Sequence, residues 1–265
     1  VKRGKTRLFD RYIGIDYSGA KLPVSGLPGL RVYESGGEEN PVEVLAPVGR
    51  SKHWSRQGIA HWLVEQLRQP ARTIVGIDHG FSFPIAYFDR HGLVHDWSAF
   101  VDDFCAHWPA DCDVVSVEDV RRGRAGNGAA RLGDSKWKRR MELRAGAAKS
   151  VFHFDVQGSV AKSTHAGLPW LRFIRASLGD RAHFWPFDGW EPVAGRSVIA
   201  EVYPSLWSGQ YERARRSADQ HDAWSVAKWL AQADGDGALR ACFEPRLTDA
   251  ERAIASVEGW ILGLP

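Results

Sequence analysis

The stretch IGIDYSG at positions 13–19 is an apolar run that ends on an acid and turns at once through Ser18 and Gly19. Short runs rich in β-branched residues and bounded by turn residues read as strands, so a buried strand is expected over 11–17 with Asp16 at its end. The chain repeats the pattern in VGIDHGFSFP at 75–84, where the run again closes on Gly-Ile-Asp and then breaks at Gly80 and Pro84. Two strands that each carry an acid to their exit frame the reading of the remaining sequence.

Around them the pattern is that of an α/β protein. Strands are expected near LRVYES at 30–35 and PVEVLAP at 41–47, which makes a three-strand meander with the first. Ile59, Trp62, Leu63, Gln66 and Leu67 fall at helical spacing behind Ser55 as N-cap, and Pro70 closes that helix. Helical segments are expected near 96–107, 136–148 and 167–178, within an irregular stretch from 90 to 190 read as an insertion or cap on a single domain spanning 1–265. A strand returns in SVIAEVYPSLW at 197–207, followed by a helix whose apolar side is Ala223, Val226, Ala227 and Leu230. A last helix opens at Thr248 with Glu251 completing a capping box. Strands alternating with helices predict helix layers on a sheet.

Composition narrows the class. With 44% hydrophobic and 25% charged residues in 265, the chain can bury a large core and lacks the signature of disorder. A net charge of +3 limits any polyanion site to a local patch. Three cysteines with no C-x-x-C spacing make a poor disulfide framework and fit a reducing compartment. No run of about 18 apolar residues is present. The basic opening VKRGKTRLFDR lacks an apolar segment behind it, so a cytoplasmic protein with no membrane partner is expected. Cys105, His107 and Cys112 lack zinc spacing and are read as packing.

The chemistry lies in acids far apart in sequence: Asp16, Asp78, Glu201, Asp219 and Asp222. In α/β sheets the carboxyl ends of parallel strands share one edge, where ligands bind, so these residues can meet. Asp219 and Asp222 stand at i and i+3 and face the same way. Carboxylates gathered in one place repel unless a cation neutralises them, and hard oxygen donors suit Mg²⁺ or Mn²⁺. Each acid also has an ordinary reading. Asp16 and Asp78 suit Asx-turns, Glu201 suits an arginine partner, and Asp219 suits a helix N-cap. The conjunction favours a metal site on Asp16, Asp78 and Asp222.

The ordered motifs YIGIDYSGAK, VGIDHGFSFP, AEVYPSLW, DQHDAWSVAKWL and VEGWILG, with QGSVAKSTHAGLPWLR between, resemble the domain-of-unknown-function 429 family across positions 12–263. That resemblance implies a nuclease of ribonuclease H-like fold: three antiparallel strands, then parallel ones, flanked by helices. The D-x-x-D-A ending at Asp219 to Ala223 is similar to the closing helix of Holliday-junction resolvases. Carried over from them, Asp16, Asp78, Asp219 and Asp222 are the metal-binding acids, and Glu201 is added from the family's own pattern. The fourth-strand acid here is Asp rather than the longer Glu of resolvases.

The expected partner is DNA or RNA. Positions 121–149 hold ten Lys or Arg against Asp134 and Glu142, with Lys136, Arg139 and Arg140 as phosphate contacts and Trp137 as a stacking face. His221 beside Asp222 is a secondary catalytic candidate. Among the tryptophans Trp54, Trp185 and Trp190 are expected at a rim. Two other functions compete with the nuclease: a phosphotransferase of the actin and sugar-kinase type, suggested by the Gly-Asp turns, and a nucleic-acid-binding module without turnover.

Overall fold

The computed structural model describes residues 7–49, 51–156 and 159–265. The basic positions 1–6 and the first two residues of the middle motif, Gln157 and Gly158, lie outside them. Six strands form one mixed sheet: β1 (Arg11–Asp16), β2 (Arg31–Ser35), β3 (Val42–Glu43), β4 (Thr73–Asp78), β5 (Ala182–Trp185) and β6 (Ser197–Glu201), in the order β3-β2-β1-β4-β6-β5. The first three are antiparallel neighbours, while β4, β6 and β5 run parallel to β1. The helices flanking it are α1 (Arg56–Leu67), α2 (Ile85–His91), α3 (Trp97–His107), α4 (Val117–Arg121), α5 (Arg140–Ala145), α6 (Ala161–Leu178), α7 (Ala218–Gly235), α8 (Leu239–Cys242) and α9 (Asp249–Glu258). Among the described residues no helix is long and apolar enough to cross a membrane.

Strand alternation divides the core in two. Ile13, Ile15, Val75, Ile77 and Ile199 pack on one face with Ile59 and Leu63 of α1 and Ala166 and Leu171 of α6. Tyr12, Ile74, Val198 and Ala200 pack on the other with Val226 and Leu230 of α7 and the terminal Trp260 and Ile261. The caps match expectation at both ends: Ser55 accepts the Gly58 N–H, and Thr248 and Glu251 form the reciprocal box of α9.

The expected insertion over 90–190 needs correction. Phe100, Phe104 and Trp108 share the α1 and α6 core, α6 starts at Ala161 rather than near 167, and β5 is the edge strand of the same sheet. Four residues, AHFW, buried along their whole length, carry no alternation to reveal a strand. Trp54 and Trp185 are core residues rather than rim residues, with indole N–H groups that donate to the carbonyls of Val44 and Trp190. Trp190 is half-buried.

On the second face two glycines set the distance of α7. Gly14 and Gly76 are paired across β1 and β4. A Cβ built on Gly14 would lie 2.7 Å from the Ala227 nitrogen and nearer still to the Ala223 carbonyl oxygen, while one on Gly76 would lie 2.7 Å from Val226 Cγ1. The helix backbone thus rests directly on the strand backbone. Overpacking of this kind costs about 1–3 kcal/mol or more. Gly14→Ala is expected to lower stability by at least that amount in urea denaturation, whereas Gly36→Ala, with no atom within 4 Å of the added carbon, leaves it nearly unchanged.

Candidate active site

Asp16 and Asp78 are register partners at the ends of β1 and β4 and project on the α7 face, two residues beyond the glycine pair. Since the helix lies on Gly14 through Ala223, its first turns stand against these strand ends. They bring Asp219 and Asp222 to the same edge, where both carboxylates bear electrostatically on Asp16. Asp219 is not the N-cap. Ser217 holds that position, accepting the Gln220 N–H while the Gln220 side chain accepts from Ser217 N. The Asp219 carboxylate therefore has no capping duty and faces the loop at Gly29.

Asp16, Asp78 and Asp222 have raised proton affinities. Burial holds the Asp16 carboxyl well above the usual range, and the charges of Asp78, Asp219 and Asp222 add to that. Asp78 is pushed up to about 8 by burial first, then by Asp222 and Glu201. Asp222 is raised by burial, opposed by neighbouring His221 and by a hydrogen bond from Ser208. Among the described residues no group of three or more His, Cys, Asp or Glu side chains is gathered tightly enough to grip an ion. The acids surround one edge within electrostatic reach without converging on a point. Their chemistry fits a hard divalent cation, the charge that would relieve a repulsion no arginine or lysine neutralises for Asp16.

The other predicted residues are placed differently. Glu201 pairs with Ile77 and so projects to the opposite face of the sheet from Asp78. There it accepts two hydrogen bonds from Arg139 at 2.8 Å and one from Phe81 N–H. Arg139 is 1% exposed and also donates to Glu142. Both residues therefore serve an interior ion network rather than a metal or a phosphate. His221 hydrogen-bonds the Ser208 carbonyl through Nε2, fastening the 208–210 turn to α7. Trp137 packs edge-on to Phe152, while Lys136 and Arg140 have exposed side chains.

Sequence reasoning missed three buried residues, two near the acids and one in the network on the opposite side of the sheet. Arg56, fully buried, donates to the carbonyls of Ser18, Ala20 and Lys21 and so holds the loop that leaves Asp16. His79 stands beside Asp78 with its ring against Tyr17, its Nδ1 on the Gly80 carbonyl and its pKa lowered to about 4 by burial. Glu258 accepts from Ile85 N–H and Arg140 N–H, tying α9 to the starts of α2 and α5. Its place in VEGWILG was the available signal, since an acid enclosed by apolar residues needs partners. A cavity of about 220 Å³ opens beside Asp78, lined also by Tyr17, His79, Arg139, Lys149, Glu201 and Tyr203.

Two measurements check this account. Because the folded pKa of Asp78 lies above its ordinary 3.8, the folded protein keeps a proton that the unfolded chain releases. Stability is then greatest below about pH 4 for this group and is lost as pH rises towards about 8. In EDTA the melting temperature is expected to fall between pH 5 and 8, and Asp78→Asn to flatten that fall. Arg139→Ala strands two carboxylates in the interior and is expected to cost about 3–5 kcal/mol in urea denaturation. No family model, no curated protein and no solved structure matches the chain.

Proposed function

We propose that the protein is a divalent-metal-dependent nuclease of ribonuclease H-like type, hydrolysing phosphodiester bonds in DNA or RNA. The observation that carries this reading is the pairing of Asp16 with Asp78 at adjacent parallel strand ends, with Asp219 and Asp222 laid across them by a helix seated on glycines. Three antiparallel strands followed by parallel ones, with an acid closing the first and the fourth, agree with what the motif resemblance implies. Asp16, Asp78 and Asp222 would hold Mg²⁺ or Mn²⁺, with Asp219 supplying a further oxygen on the same side. Bound there, a divalent ion orients water and stabilises the leaving oxygen of a phosphodiester.

The chain's own groups prepare that chemistry. Raised proton affinity keeps Asp78 protonated near neutrality in the absence of a cation, and cation binding would displace that proton, so affinity rises with pH. Arg56 fixes the loop that leaves Asp16, limiting the geometries its carboxylate can take. The substrate backbone would approach along the open edge above the strand ends, where both acid pairs are partly exposed.

The test is cleavage of end-labelled single-stranded DNA, duplex DNA and RNA in Mg²⁺ or Mn²⁺. Cleavage is expected to vanish in EDTA and to drop more than about a hundredfold in Asp16→Asn or Asp78→Asn that still melt cooperatively. A folded wild-type protein that cuts none of these substrates in either metal overturns the reading.

A further inference from the structure

We propose that the loop 211–216 is the surface on which a phosphodiester backbone docks, with Arg213 and Arg215 as its phosphate contacts. This rests on the nuclease reading for its substrate class. The loop carries Arg213, Arg215 and Arg216 around Ala214 and runs directly into Ser217, the cap of the helix that bears Asp219 and Asp222. Ala214 has φ of +50°, a conformation that non-glycine residues seldom adopt, and strained positions of this kind concentrate at functional loops.

The three arginines divide the work. Arg216 is the foot: its guanidinium lies 4.0 Å over the Trp224 ring and donates to the Glu212 carbonyl. Arg213 donates its Nε to the Arg216 carbonyl at 2.9 Å and remains exposed, within electrostatic reach of Asp222. Arg215 is exposed and makes no hydrogen bond or ion pair among the described residues. Acids at a strand edge repel an incoming phosphate, and screening confines any remedy to cations within about 8–10 Å. The 213–215 segment lies at the head of the same helix and supplies them.

The basic stretch that stands out in the sequence is largely spent. Arg121 pairs with Glu118 and Asp155, Arg122 with Glu118, Arg124 with Asp119, Arg131 with Asp103, and Arg139 with Glu142 and Glu201. Lys136 and Arg140 remain on the surface and serve as the comparison.

The experiment measures binding of fluorescein-labelled single-stranded and duplex oligonucleotides by anisotropy, in Mg²⁺, on the Asp16→Asn background so that no substrate is consumed. Salt dependence reports the number of phosphates neutralised. Arg213→Ala with Arg215→Ala is expected to reduce the slope of log affinity against log salt by about 1.4 on single strands and about 1.8 on duplex. Arg215→Ala alone, which disturbs no internal bond, is expected to give half of that, while Arg213→Lys with Arg215→Lys retains the slope. Lys136→Ala with Arg140→Ala is expected to change it by less than the Arg215 variant. The proposal is overturned by an unchanged slope in the double alanine variant, by an equal loss from the Lys136 and Arg140 pair, or by no binding before mutation. Cleavage by the wild type with an unchanged slope removes the docking surface and leaves the nuclease. Loop-dependent binding without cleavage does the reverse.

Discussion

The arrangement of this protein depends on the contact between the α7 backbone and the backbones of β1 and β4 at Gly14 and Gly76. A helix normally rides on a sheet at a distance set by side chains from both partners. Here the strands contribute none at the contact, and the Ala223 carbonyl and Ala227 nitrogen occupy the space that a methyl group on Gly14 would need. That seating fixes how far the first turns of α7 lie from the strand ends. With side chains between them, Asp219 and Asp222 would be lifted away from Asp16 and Asp78, and their effect on the proton affinities of those two acids would weaken with distance. Asp234 at the other end of the helix holds the register by accepting from Leu8 N–H, Phe9 N–H and the Tyr12 hydroxyl.

The sheet also separates two populations of carboxylates. On the α7 face the acids are half-buried, with no arginine or lysine among the influences on Asp16, and their charges oppose one another. On the far side Glu142, Glu201 and Glu258 are buried with Arg139 and several backbone N–H donors around them. Arg139 and backbone N–H donors hold the second set by hydrogen bonds, joining β6, α5 and α9 into one unit. Bringing half-buried carboxylates together costs stability, which the raised proton affinities of Asp16 and Asp78 express. The same accounting applies to the basic residues: five of the ten in 121–149 pair with acids of their own chain, while Arg213 and Arg215 in the loop before α7 are exposed.

Much of the fold was legible in the residues. Repeated Gly-Ile-Asp endings marked β1 and β4, and helical spacing with Ser55 and Thr248 marked α1 and α9 at their true starts. Legibility failed where the local pattern is weak or shared. The four residues of β5 are buried on both faces and carry no period, and α6 begins earlier than its pattern suggests, among small residues that pack as tightly as larger ones. Asp219 fitted the N-cap role on type alone, since Ser217 and Asp219, two positions apart, both suit it. Only backbone geometry distinguished them.

The sequence by itself determined five of the six strands, the principal helices and the acids at their ends, because periodicity, caps and strand breaks are local properties written residue by residue. Tertiary structure alone decided which acids share an edge. Glu201 and Asp78 end neighbouring strands, yet one-residue differences in register send them to opposite faces, where one meets Arg139 and the other meets Asp222. Side-chain direction across paired strands is a property of the pairing, and the pairing partners lie more than a hundred positions apart, beyond the reach of any local pattern.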